Sequence, residues 1–88
     1  MRYGRVRDRK NEPSFELGRV KVLHISAAAL RIEVLDGPHA GAGAEGEEAV
    51  WCPKSQIHPT SEIDDTSFVD TEGTLTVTEW IAKQKGWM

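Results

Sequence analysis

The sequence predicts an α+β fold: a small curved antiparallel sheet or partly open barrel of three to five strands, SH3- or OB-like, with one C-terminal helix. Three observations predict it. The stretches RVKVLHI and LRIEVL alternate side chains with period two, as strands do. Strand-like runs are cut short by Asp36-Gly37-Pro38 and by Pro53. The last apolar segment opens on a Thr-x-x-Glu capping box.

Taken in order, the first residues are polar and charged with little apolar rhythm, so 1–13 reads as a basic flexible arm and 14–88 as a single small β-rich domain. From Phe15 the pattern changes. Val20, Val22 and His24 alternate with Lys21, Leu23 and Ile25, and apolar residues on both faces place this strand centrally in the sheet. In AAALRIEVLDG, Leu30, Ile32 and Val34 share one face while Arg31 and Glu33 share the other, which is a half-buried strand. Residues 37–48, GPHAGAGAEGEE, form a hairpin-like connection. A short strand through Val50-Trp51-Cys52 follows and ends at Pro53, with Trp51 and Cys52 as core residues. Phe68-Val69 and Thr74-Val77 are expected to add brief strands. The helix is expected to start at Thr76, with Val77, Trp80 and Ile81 on its apolar face and Trp80 and Ile81 in the core. Gly86 suits the left-handed position that ends a helix, and Trp87 would fold back onto the last turn.

A chain of 88 residues supports one domain with a small core. The basic start, MRYGRVRDRK, is followed by no apolar run, so no secretory signal is expected. A lone cysteine excludes an internal disulfide, in keeping with a cytoplasmic setting. Charge is unevenly distributed. Residues 1–24 carry seven basic against three acidic side chains, net +4, and residues 25–88 carry four against eleven, net −7. A basic arm on an acidic body offers one end to a phosphate backbone and the other to a basic protein surface.

The chemistry of individual residues narrows the function classes. Cys52 has Lys54 and His58 nearby in sequence, but a strand sends neighbours to alternate faces and a free cysteine is more often a small buried hydrophobe. Cys52, His24, His39 and His58 lack the tight ligand spacing of a zinc site. Ser55 and His58 lack a nucleophile elbow, and the acidic end of the Gly-Ala loop would repel a phosphate. A non-enzymatic protein with no cofactor and no metal is therefore expected.

Two stretches, AVWCPKSQI and GTLTVTEWIAKQKG, with KVLHISAAALRIEVLDG before them, resemble a recurring pattern in short, largely uncharacterised phage, prophage and other mobile-element proteins. The resemblance spans roughly residues 20–86 and leaves the basic arm outside. The chain departs from the pattern in its long Gly-Ala loop, in the cysteine after Trp51, and in a threonine where a proline often opens the helix. The resemblance implies a small β-rich fold and a phage-like setting in the bacterial host cytoplasm, with no catalytic residues. Two readings follow. In one, an accessory protein binds a host or phage protein that handles nucleic acid, through an acidic surface of Glu45, Glu47, Glu48, Glu62, Asp64, Asp65, Asp70 and Glu72. Inhibition of a bacterial defence complex, as by anti-CRISPR proteins, is one form of this. In the other, the chain binds single-stranded nucleic acid directly through Arg2, Arg5, Arg7, Arg9 and Lys10 and a sheet face. Neither reading involves a membrane.

Overall fold

The computed structural model of the protein describes residues 13–88; apart from Pro13, the expected basic arm lies outside the described residues. Among the described residues four strands, β1 (Ser14–Ile25), β2 (Ala29–Val34), β3 (Val50–Pro53) and β4 (Glu72–Thr78), form one antiparallel sheet in the order β3-β2-β1-β4, and one α-helix, α1 (Glu79–Lys85), follows β4 directly. The expected α+β architecture and strand number are those observed.

Alternation decides which side chains meet. In β2, Leu30, Ile32 and Val34 are fully buried and pair across to Ile25, Val22 and Val20 of β1. The long central strand keeps its core side chains inward only by slipping register twice, between Glu16 and Gly18 and between Val22 and His24. Each slip resets the two-residue period, so Leu17 and Val20 both face inward although an odd number of steps separates them.

The pairing also fixes how strongly the sheet curls. Pro53 pairs with Ala29, beyond the Ile25 end of β1, whereas Ile57 bridges to Val77, which itself pairs with Phe15 at the opposite end of β1. Laid flat, those points would stand about 30 Å apart along the strand direction, at about 3.3 Å per residue. The four residues from Pro53 to Ile57, three of them in a 3-10 turn over Lys54–Gln56, reach no more than about 14 Å. The sheet is therefore rolled until the end of β3 approaches the free edge of β4, without a continuous ladder to close it.

Residues 57–63 then cover that edge. The His58 amide donates to the Thr76 carbonyl (2.9 Å), Ser61 Oγ donates to the Thr74 carbonyl (3.2 Å) and accepts from the Thr76 amide (2.9 Å), and Glu62 Oε1 accepts from the Thr74 amide (2.7 Å). An edge satisfied in this way presents no template for another strand. The same segment sends Ile57 and Ile63 into the core.

Four expectations are corrected here. Phe68-Val69 is not a strand but part of an exposed turn-rich connection. The helix begins two residues later than the Thr76 box implies, because β4 stays paired to β1 through Thr78, whose side chain caps α1 by accepting from the Ile81 amide. That shift matters because successive residues turn by about 100° around a helix: Ile81 and Ala82 are buried, while Trp80 is 60 % exposed instead of lying in the core. Trp51 is only half-buried. Its neighbour Cys52 takes the inward position opposite Leu30, which leaves Trp51 on the outer face, paired with Arg31 and edge-on to His24 at 6.0 Å.

The helix ends as expected. Gly86 is left-handed (φ 76°), its amide donates to Lys83, and the Trp87 amide donates back to Ala82 at 2.8 Å, returning the Trp87 side chain to the core. The Gly-Ala connection is hairpin-like, with Val34 donating to Ala42 and accepting from Gly41, both at 2.8 Å.

Candidate functional site

The acidic residues singled out from sequence fall on two different connections. Glu45, Glu47 and Glu48 are exposed on the β2–β3 connection, while Glu62, Asp64, Asp65, Asp70 and Glu72 lie on or beside the connection that leads into β4. Arg2, Arg5, Arg7, Arg9 and Lys10 lie outside the described residues.

The second group is the more constructed of the two. Asp64 opens the loop, with its Oδ1 accepting from the Thr66 amide (2.9 Å) and the Thr66 hydroxyl (2.6 Å), while its amide donates to Ser67 Oγ (3.0 Å). At the far end the Asp70 amide donates to the Val22 carbonyl (2.7 Å) and the Val22 amide donates to the Thr71 carbonyl (2.9 Å), tying the loop to the centre of β1. A further bond from the Thr71 amide to the Phe68 carbonyl (3.1 Å) closes the tip. Asp70 adopts a left-handed conformation (φ 72°), which aspartate tolerates better than most residues. Its carboxylate stands 3.9 Å from Lys21 Nζ, and Glu72 is 3.3 Å from Arg19. Exposed pairs of this kind contribute little to stability.

Between these two clamps Phe68 is held 78 % exposed, with Val69 beside it at 48 %. Leaving a phenylalanine side chain in water forgoes about 1.5–3 kcal/mol of burial. Sequence reasoning assigned this residue to a brief strand and did not place it in the acidic site. The available signal was an isolated apolar pair inside DDTSFVDTE, with no alternation to carry it into a sheet. Next to the first clamp, Lys54, Ile57, His58, Pro59, Asp64 and Asp65 line a cavity of about 330 Å³.

Hydrogen bonds set the ionisation of two of these acids. The Thr74 backbone amide holds the Glu62 carboxyl below its ordinary 4.5, and the Thr66 hydroxyl and amide hold Asp64 below its ordinary 3.8. A carboxyl with a depressed folded pKa contributes stability above its ordinary value and loses it as pH falls through the folded one. The β4 edge and the loop's first clamp are therefore expected to hold at neutral pH and loosen only in acid. An NMR titration read at the Thr74 and Thr66 amides should give midpoints below 4.5 and below 3.8; ordinary midpoints would mean that neither bond persists in solution.

The remaining sequence candidates are dispersed. Burial pushes the Cys52 thiol up to about 12, with Lys85 opposing weakly, so it stays a protonated, inert thiol at neutral pH. His39 Nε2 donates to the Trp87 carbonyl (3.0 Å), buried His58 pairs through Nδ1 with Thr60 (2.7 Å), and His24 lies against Trp51. Among the described residues no group of three or more His, Cys, Asp or Glu side chains is placed to hold a metal ion, and no helix is long and apolar enough to cross a membrane.

Comparison with protein-family models, with curated proteins and with solved structures finds no match. The functional reading therefore rests on the loop and on the sequence pattern.

Proposed function

We propose that this chain is a non-enzymatic accessory protein of phage or mobile-element origin that binds a nucleic-acid-handling protein in the cytoplasm of a bacterial host. The single observation that carries this reading is the Asp64–Glu72 loop: carboxylates displayed on a segment clamped at both ends, so that little conformational freedom remains to be lost on binding. A surface that carries many negative charges and is already ordered suits a partner whose own surface is basic because it binds nucleic acid. Blocking such a surface would inhibit the partner, and inhibition of a defence complex is one form this takes.

The test is affinity capture from nuclease-treated bacterial lysate with the wild-type chain and with a Glu47→Lys, Glu48→Lys, Asp65→Lys variant. Asp64 is left in place because it caps the loop. Retention of a partner by the wild type and its loss from the variant supports the reading; equal retention sinks it. The second reading, direct binding of single-stranded nucleic acid, is favoured by one row across three strands on the outer face, His24–Arg31–Trp51. Aromatic and cationic side chains in such a row suit base stacking. It requires Trp51 fluorescence to be quenched by a single-stranded oligonucleotide, with a salt dependence that flattens when residues 1–12 are deleted.

A further inference from the structure

We propose that Phe68, with Val69 beside it, is the anchor by which the acidic loop docks on a folded partner protein, entering an apolar pocket rimmed by arginine or lysine. This rests on the acidic-surface reading above and names the partner's surface chemistry. The Phe68 side chain stands outside the core on a loop fixed by the Asp70 and Thr71 backbone bonds with Val22 on one side and by the Asp64 cap on the other. An exposed aromatic on an ordered segment matches the residues that dominate protein interfaces, which are large, rigid and inserted into pockets of the partner. The charge around the apolar pair selects the occupant. Asp64 and Asp65 precede it while Asp70 and Glu72 follow it, and although Asp70 lies against Lys21 and Glu72 against Arg19, the acids remain in excess, so a phosphate backbone or an anionic lipid surface is disfavoured where Phe68 must enter. A second copy docking through the same loop would set the surplus acids of Asp64 and Asp65 against each other. A basic rim around an apolar pocket satisfies both parts of the loop, with the charges steering encounter and the ring holding the complex.

The test places a photo-activatable benzophenone side chain at position 69 of the full-length chain, with the same group at position 80 on α1 as control. Both probes are irradiated in nuclease-treated bacterial lysate. Unlabelled wild-type chain, Phe68→Ala and Asp65→Asn/Asp70→Asn serve as competitors, each first checked for an unchanged unfolding temperature. The proposal expects a saturable adduct from position 69 and not from 80, on a site of the partner that combines apolar residues with Arg or Lys. Phe68→Ala should need at least about 30-fold more protein to compete, the loss typical of a truncated interface anchor. The double Asn variant should compete less well at low salt and approach wild type as salt is raised. Equal competition by Phe68→Ala and wild type overturns the anchor; if the Asn variant still competes poorly, the acidic-surface reading survives without it. If all three compete equally, both fail. No saturable adduct, or one that joins two copies of this chain, overturns the proposal as well.

Discussion

Replacing Gly43 by alanine is expected to lower stability by about 2–5 kcal/mol, from two separate costs. Gly43 has φ 79°, where an alanine costs about 1–2 kcal/mol. A Cβ at this position would also overlap the carbonyl oxygen of Ile32 and crowd Val50 Cβ at 3.3 Å. Relieving such crowding in a packed region costs roughly 1–3 kcal/mol more. Ile32 cannot yield cheaply, because it sits at the middle of β2, paired with Val22 on one side and Val50 on the other. Gly41→Ala is the control. Its φ is 94° but nothing lies within 4 Å of the new methyl, so only the first cost of about 1–2 kcal/mol applies. Urea unfolding of both variants separates the terms through the midpoint at constant slope. Equal losses would show that the Gly-Ala connection does not press on β2. A larger loss at Gly43 would show that the segment displaying Glu45, Glu47 and Glu48 is seated on the sheet, so that those carboxylates too have a fixed position.

What the sequence makes legible is what depends on near neighbours along the chain. Leu30, Ile32 and Val34 announce β2 because alternation is local, and Gly86-Trp87 announce the helix end because the closing bonds span a single turn. The start of α1 is not legible in this way. Thr76 and Glu79 have the spacing of a capping box, yet the ladder to Ser14 and Phe15 holds β4 extended to Thr78, and tertiary pairing prevails over the local motif. The same limit applies to the acids. Glu62 reads as one more solvated carboxylate, but its oxygen accepts an edge amide of β4 twelve residues later in the chain. Phe68 gave no periodic signal, and its exposure depends on the clamp to Val22, which no pattern around residue 68 encodes.

The two tryptophans of the C-terminal segment provide the second large expected effect, and it separates the helix observed from the helix anticipated. Trp87→Ala should cost about 3–5 kcal/mol, as expected for truncation of a buried aromatic. Its side chain is 8 % exposed, and its carbonyl accepts from His39, so the residue ties the end of α1 to the β2–β3 connection. Trp80→Ala should change stability by less than about 0.5 kcal/mol, because this ring is 60 % exposed. Thermal unfolding of the two variants reads the contrast directly. If Trp80→Ala proved the more damaging, α1 would have to present its Trp80 face to the sheet, and Thr76 would be the cap after all. If Trp87→Ala is the more damaging, the two-residue displacement of the helix start is what frees Trp80. The core at this end then depends on a residue beyond the last turn, held there by the left-handed Gly86.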